Sequence, residues 1–141
     1  MKKILIAIDG GVLSEKTAQK GYELAKAIQA EVALVYVVDP AMTTGEGGYT
    51  AGDLINIYKE EGKEILEKLK RELANNDIWL FIEVGNPART IIKLTNEWNA
   101  DMIVIGTHGR TGLNHLLMGS VAEHVIRHSI VPVVVIPSNI K

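Results

Sequence analysis

The stretch "DMIVIGTHGRTGLNHLLMGS", residues 101–120, joins an apolar run to a glycine-rich segment that ends where a helix is predicted to begin. The run at 101–106 has the length of one strand and is almost continuously aliphatic, which is typical of a parallel strand covered on both faces. Glycines follow at 106, 109, 112 and 119, and Ser120 comes directly after the last of them. This stretch therefore predicts a strand, a loop and a helix, in that order.

Four further apolar runs of strand length lie at 3–8, 31–38, 78–84 and 131–136, and the run at 78–84 is the least uniform. Between these runs, apolar residues recur at helical spacing. An alternation of strands and helices with right-handed crossovers places helices on both faces of a parallel sheet. The sequence therefore predicts a three-layer α/β sandwich.

Local signals predict several boundaries of these elements. Ser14 is predicted to be the N-cap of the first helix, and Asn86-Pro87 predicts a helix that has proline at its first position. The segment 39–52 contains four glycines and a proline without any period, so we predict a loop there. Pro132, near the start of the last run, predicts an edge strand, which invites a partner.

Composition excludes several classes of function. The chain has 141 residues, which favours one domain over 1–141, and its net charge of −2 comes without a block of Lys and Arg, which disfavours a nucleic-acid partner. Because there is no cysteine, disulfides, thiolate metal sites and thioredoxin-like chemistry are excluded. The first apolar run stops at Asp9, too early for a signal peptide or a membrane span. We therefore expect a cytoplasmic protein with no membrane partner.

The glycine-rich segment is a candidate phosphate site. In an open α/β sheet, ligands bind beyond the carboxyl ends of the strands where the chain reverses its winding, so the loop at 106–112 and the loop that starts at Asp9 would meet. Glycine leaves backbone N–H groups accessible, and the first turn of a helix, here at Ser120, favours an anion. A simple turn followed by a helix start fits the spacing equally well. A P-loop and a dinucleotide fingerprint are both excluded, because neither spacing is present.

The pattern Gly106-x2-Gly109-x9-Gly119-Ser120 resembles the G-2x-G-9x-G-[S/T] nucleotide motif of the ATP-binding universal stress proteins. Other segments resemble the same family along essentially the whole chain: "KKILIAIDG", "VVDP", "VGNPARTII", "ADMIVIGTHGRTG" and "GSVAEHVIRHSIVPVVVIP". The resemblance implies an adenine nucleotide alpha hydrolase-like fold with five parallel strands in the order 3-2-1-4-5. It also implies a homodimer through the last strand, ATP with Mg²⁺ or Mn²⁺ as the ligand, and the role of a nucleotide-dependent sensor or switch in the stress response.

The resemblance further implies roles for individual residues. Asp9 is expected near the ribose and Val37 near the adenine. The ribose and phosphates would be held by Gly106, Gly109, Gly119, Ser120 and Val121. The apolar neighbours would be Ala7, Val38 and Ile105. Apart from the resemblance, Arg110 and His108 lie inside the glycine loop and could approach a polyphosphate if the loop closes, or either could simply face solvent.

Other functions stay open at this point. Slow hydrolysis of ATP is one alternative, although Asp9 is the only nearby carboxylate and no general base is evident, so we assign no catalytic residue. A dimeric interaction module that binds no nucleotide is another. Asp9 could hold Mg²⁺ through water or could simply cap the following turn. His124 and His128 share a helix face, but zinc usually needs a third ligand, so solvated or capping histidines are favoured.

Overall fold

The computed structural model describes residues 2–43, 46–107 and 118–138. The strands of the sheet are β1 (Lys3–Ile8), β2 (Glu31–Val38), β3 (Trp79–Val84), β4 (Met102–Gly106) and β5 (Val133–Ile136). The α-helices of the described residues are α1 (Ser14–Ala27), α2 (Ala51–Leu73), α3 (Pro87–Trp98) and α4 (Ser120–His128). No helix among the described residues is long and apolar enough to cross a membrane.

The strands form one parallel sheet in the order β3-β2-β1-β4-β5, with helices on both faces, which confirms the predicted fold. The central strand β1 is buried along most of its length. The edge strand β3 is only partly buried, which explains why its run is the least aliphatic. The prediction from Pro132 is also confirmed, because β5 forms the opposite edge of the sheet.

Alternate residues of the strands form two hydrophobic cores, one on each face. On the face covered by α1 and α2, Ile4, Ile6 and Ile8 pack with Leu66 of α2. On the face covered by α3 and α4, residues such as Leu5 belong to the second core. The two cores therefore share a sheet whose residues alternate between them.

Close contact between α2 and the sheet depends on a glycine. Gly62 lies against the ring of Tyr36, and a Cβ atom at this position would overlap the ring carbons. Tyr36 is only 3% exposed and packs in the core on this face of the sheet. The helix can reach this distance from β2 only because residue 62 has no side chain.

The start of α1 corrects one sequence prediction. Ser14 is the first helical residue rather than the N-cap, and Leu13 occupies the cap position without a side-chain hydrogen bond. The Ser14 hydroxyl oxygen instead accepts a hydrogen bond from the N–H of Gly10 at 3.0 Å. The prediction was wrong because the turn after β1 engages this hydroxyl from outside the helix.

The starts of α2 and α3 test two further sequence predictions, the cap of α3 and the loop at 39–52. Asn86 caps α3 through its side chain and Pro87 is the first helical residue, as predicted. The segment 39–52 is shorter as a loop than expected, because α2 already begins at Ala51 and short 3-10 turns occupy Pro40–Met42 and Glu46–Gly48. The signal that sequence reasoning missed is a capping box, in which Thr50 and Asp53 bond reciprocally to each other's backbone N–H.

Candidate functional site

A cavity of about 570 Å³ lies at the carboxyl edge of the sheet, and its lining includes the ends of β1, β2 and β4 together with the first turns of α1 and α4. The chain reverses its winding between β1 and β4, and ligands of open α/β sheets bind at such a position. A volume of this size is in the range of sites for small molecules and cofactors. The cavity is therefore the candidate binding site.

The predicted site residues within the described part of the chain all line this one cavity. They are Ala7, Asp9, Val37, Val38, Ile105, Gly106, Gly119, Ser120 and Val121. Gly109 and Arg110 lie outside the described residues, as do His108 and Gly112. The fold thus brings together residues from three separate parts of the sequence, and their role in binding stays a prediction.

The cavity extends around the end of the sheet. Ala7 and Val37 pack with the core on the α3 and α4 side, whereas Ile8, Tyr36 and Val38 pack with the core on the α1 and α2 side. Residues of both sets line the cavity. A ligand in it could therefore contact side chains from both faces of the sheet.

Asp9 shapes the turn after β1 and also lines the cavity. Its Oδ1 accepts a hydrogen bond from the N–H of Gly11 at 2.9 Å and another from the Ser14 hydroxyl at 3.4 Å. Gly10, which lies between Asp9 and Gly11, has a φ of +84°, a left-handed conformation that favours glycine. Asp9 thus caps the turn after β1, as considered from the sequence, and the residue also lines the cavity.

The first turn of α4 supplies backbone donors at the cavity. Gly119 is the N-cap residue, and Ser120, Val121 and Ala122 follow it along the cavity wall. The first N–H groups of a helix have no partner within the helix and carry partial positive charge. This turn is therefore suited to bind an anionic group such as a phosphate.

Hydrogen bonds hold the two ends of the connection between β4 and α4 together. The N–H of Gly119 donates to the carbonyl oxygen of Thr107 at 2.6 Å. The N–H of Thr107 donates to the carbonyl oxygen of Ile136 at 3.0 Å. These bonds attach the start of α4 to β4 and to the end of β5. The position of the α4 first turn is consequently fixed by the sheet itself.

Sequence reasoning did not identify several residues that line the cavity. They are Ile8, Leu13, Ser14, Thr17, Val35, Tyr36, Asp39, Met42, Tyr58, Pro87, Ile91, Thr107 and Ala122. Asp39 had a recognisable signal, because it follows β2 just as Asp9 follows β1. Its Oδ1 accepts a hydrogen bond from the N–H of Ala41 at 2.9 Å. Tyr58 and Ile91 had none, since helical spacing does not distinguish a core residue from a cavity residue.

The side chain of one histidine of α4 contacts the backbone of the preceding helical turn. Nδ1 of His128 lies 2.9 Å from the carbonyl oxygen of His124. The two rings are stacked, with centroids 4.1 Å apart. Over the described residues, no group of three or more His, Cys, Asp or Glu side chains is placed to hold a metal ion.

Comparison with known proteins places the chain among relatives of similar length. Universal stress protein MJ0531 of Methanocaldococcus jannaschii is 39% identical over 138 residues, which cover 96% of this chain and 81% of the relative. The solved structure of protein MJ0577, from the same organism, superposes with a TM-score of 0.82 at 32% identity. That superposition covers 99% of this chain and 98% of the other.

Two more distant solved structures share the fold. A universal stress protein in complex with cAMP superposes with a TM-score of 0.67 at 22% identity, and the superposition covers 96% of each chain. A universal stress protein from Archaeoglobus fulgidus in complex with dAMP has a TM-score of 0.63 at 23% identity, covering 96% of this chain and 97% of that one. The profile of the universal stress protein family matches residues 1–137. The chain therefore belongs to the universal stress protein family.

Proposed function

We propose that the protein binds ATP with Mg²⁺ in the cavity at the carboxyl edge and acts as a homodimeric, nucleotide-dependent sensor or switch in the stress response. The observation that carries the proposal is the convergence of the described motif residues on one cavity, beside the first turn of α4. Structures of family members in complex with cAMP and dAMP support an adenine nucleotide as the ligand class.

The lining suggests how the nucleotide would lie. Ala7, Val37 and Ile105 offer an apolar surface for the base, and Asp9 offers a carboxylate to the ribose hydroxyls. The N–H groups of Ser120 and Val121 would bind phosphate oxygens, as helix N-termini do. In this arrangement the base lies over the strand ends and the phosphates point toward α4.

Asp9 is suited to assist a divalent cation. Magnesium at nucleotide sites is commonly bound through one or two carboxylates together with phosphate oxygens and water, and Mn²⁺ accepts similar oxygen ligands. Oδ1 of Asp9 is engaged by the turn, whereas no hydrogen bond from the described residues reaches Oδ2. We propose that Oδ2 contacts the cation through water and that the phosphates supply the remaining ligands.

The proposal is tested by thermal unfolding with Mg·ATP, compared with GTP, AMP and cyclic AMP. A ligand at about 100 times its dissociation constant stabilises the native state by about 2.7 kcal/mol. We expect this to raise the unfolding midpoint by roughly 5 to 10 °C for ATP and by less for GTP. If no nucleotide shifts the midpoint, the nucleotide proposal fails and an interaction module becomes the better interpretation.

The dimer is proposed to form through the open edge of β5. The carbonyl group of Pro132 accepts a hydrogen bond from Ile103 of β4, and that of Ile136 accepts one from Thr107 directly after β4. Alternation therefore turns the backbone groups of Val133 and Val135 toward the open edge. Nearby, Ile126 and Ile130 are exposed apolar residues, with 83% of Ile130 accessible. Exposed edges of this kind favour pairing with another chain.

A pair of substitutions at one position tests the dimer. Val135→Pro removes the outward N–H without removing a donor to β4, and Val135→Thr keeps both the N–H and the β-branched shape. Light scattering after size-exclusion chromatography should give a dimer for the wild type and Val135→Thr and a monomer for Val135→Pro. A wild-type monomer, or a Val135→Pro dimer, would contradict pairing through β5.

Slow hydrolysis of bound ATP is the alternative that the cavity leaves open. Asp9 and Asp39 both line it, and each already accepts a backbone hydrogen bond from its own turn. A carboxylate of this kind could orient a water molecule, although its main contacts are structural. ADP release over hours should fall in Asp9→Ala if Asp9 contributes, and equal release from both proteins would indicate another base or a contaminant.

A further inference from the structure

One part of the cavity is not used by the proposed nucleotide, and we call it the aromatic lobe. It is lined by Tyr36, Val38, Asp39, Met42 and Tyr58, which come from β2, the turn after it and α2. Its tyrosines and Val38 pack with the core on the α1 and α2 side, whereas the three residues assigned to the base pack with the core on the opposite face. A ligand in the aromatic lobe therefore lies beside the nucleotide rather than in its place.

Two tyrosines form one wall of the aromatic lobe. Gly62 lies directly against the ring of Tyr36, which is buried. Tyr58 precedes Gly62 by four residues in α2, so both lie on one face of the helix, and Tyr58 is one turn nearer the carboxyl edge. Tyr58 is half-buried and lines the cavity. Tyr58 thus offers an aromatic side chain to a ligand, with Tyr36 deeper in the same wall.

The described lining of the cavity carries negative charge. Its charged members are Asp9 and Asp39, and neither lysine nor arginine is among the described residues of the lining. Asp9 belongs to the turn after β1, whereas Asp39 directly follows β2 and belongs to the aromatic lobe. Oδ1 of Asp39 accepts a hydrogen bond from the N–H of Ala41 at 2.9 Å, and no hydrogen bond from the described residues reaches Oδ2. The aromatic lobe therefore has one carboxylate oxygen available to a cationic ligand.

These groups favour an organic cation over a metal ion. Over the described residues, no group of three or more His, Cys, Asp or Glu side chains is placed to hold a metal. The face of a tyrosine ring attracts an ammonium group, and aromatic side chains bind quaternary ammonium ligands in this way. Met42, 68% exposed, adds a polarizable thioether on the solvent side, and Val38 adds an apolar surface for methyl groups.

We propose that the aromatic lobe binds a small quaternary ammonium compound. Its methyl groups contact Tyr58 and Val38, and its charge lies beside the carboxylate of Asp39. The proposal goes beyond nucleotide binding, and it assigns a second ligand class to the same cavity. Its test needs no nucleotide, so it can fail while the nucleotide proposal stands, and the reverse.

The test compares choline with its carbon analogue, in which a tert-butyl group replaces the trimethylammonium group. The two probes have the same shape and differ in charge. Each is titrated with the full wild-type chain at constant ionic strength and without nucleotide, and binding is followed by NMR of the methyl signal of the probe. We expect choline to bind, and we expect the uncharged analogue to bind more weakly by about fivefold or more.

Three variants locate the binding. Tyr58→Leu removes the ring but keeps an apolar residue that favours a helix, and it should weaken choline binding by about fivefold or more. Asp39→Asn keeps an acceptor for the N–H of Ala41 and should weaken binding by about threefold. The matched control is Tyr49→Leu, because Tyr49 is exposed and does not line the cavity, and this variant should bind choline as the wild type does.

The comparison of the two probes needs no variant, so a variant that fails to fold does not decide the outcome. The proposal is overturned if choline does not bind the folded wild type or if the uncharged analogue binds equally well. It is also overturned if a folded Tyr58→Leu protein binds choline as tightly as the wild type does.

Discussion

The edge of the sheet where the strands begin, called the amino edge, differs from the carboxyl edge, where they end, in how the chain passes between strands and helices. At the amino edge, α1 connects to β2 through residues 28–30 and α3 connects to β4 through residues 99–101. Gln29 and Asn99 have left-handed conformations, which let Ala30 and Ala100 donate back to the last turns of their helices. The N–H of Asp101 then donates to the carbonyl oxygen of Lys3 at 2.7 Å, so this edge is closed by backbone hydrogen bonds.

At the carboxyl edge, the connections after β2 and β4 are longer, and the cavity lies between the strand ends. The side chains at this edge do not fill the space between the strand ends and the first turns of α1 and α4. The amino edge of the sheet is therefore closed by backbone hydrogen bonds, whereas the proposed ligand site lies at the carboxyl edge. Substitutions at the two edges should therefore separate affinity from stability.

The largest expected effect is at the carboxyl edge, from Gly119→Phe. Gly119 has a φ of −64° and a ψ of 153°, which any residue can adopt, so the backbone should tolerate the change. The added ring would compete with the phosphates for the cavity, and Mg·ATP affinity should fall by about 100-fold, or roughly 2.7 kcal/mol. Calorimetric titration measures the affinity, with Gly119→Ser as the small-residue control. Retained affinity in a folded Gly119→Phe protein would refute the proposed role of this turn.

The second effect concerns Gly62, which lies against the ring of Tyr36, a residue that also lines the cavity. Gly62→Ala gains about 1 kcal/mol of helix propensity. We expect the overlap with the buried ring to outweigh it and to lower the free energy of unfolding by about 1–3 kcal/mol. Gly52→Ala in the same helix is the control, because its Cβ would lie 3.8 Å from the nearest atom, and it should be neutral or stabilising. If Gly62→Ala and the wild type have equal midpoints in urea unfolding, the Tyr36 ring can move aside at little cost and the prediction is wrong.

A smaller effect is expected from Asp9→Asn, which keeps an oxygen acceptor for the N–H of Gly11 but removes the charge. Mg·ATP affinity should fall by about tenfold, near 1.4 kcal/mol, while the free energy of unfolding changes little. Asp39→Asn makes the same change at the end of the neighbouring strand and should affect affinity less. If the two variants weaken binding equally in calorimetry, the assignment of the cation to Asp9 is wrong.

The smallest effect is expected at the amino edge, from Ala74→Gly. Ala74 follows α2 with a φ of 54°, a left-handed conformation that glycine adopts more readily. The substitution should raise the free energy of unfolding by about 0.5–1 kcal/mol without changing nucleotide affinity. Ala27→Gly, at a right-handed helical position, is the control and should destabilise. A loss of nucleotide affinity in Ala74→Gly would contradict the separation of the two edges.

Much of the fold could be predicted because its signals are local. Apolar runs of strand length predicted the five strands, although the run for β3 is less uniformly aliphatic than the others, and Asn86-Pro87 predicted the start of α3. The start of α1 could not be predicted, because the Ser14 hydroxyl bonds to Gly10 in the preceding turn rather than to its own helix. The capping box at Thr50 was a local signal that was overlooked.

The residues of the candidate site also fall into those that the sequence could predict and those that it could not. Residue type and spacing were enough to identify the candidate glycines, Ser120 and the strand-end Asp9, because they fix which backbone and side-chain groups each segment offers. The tertiary structure was needed to show that Tyr36, Tyr58 and Ile91 line a cavity as well as pack in a hydrophobic core, and that the rings of His124 and His128 stack. Periodicity shows which face of a helix or strand is buried, whereas a cavity depends on where elements distant in the sequence leave the space between them unfilled.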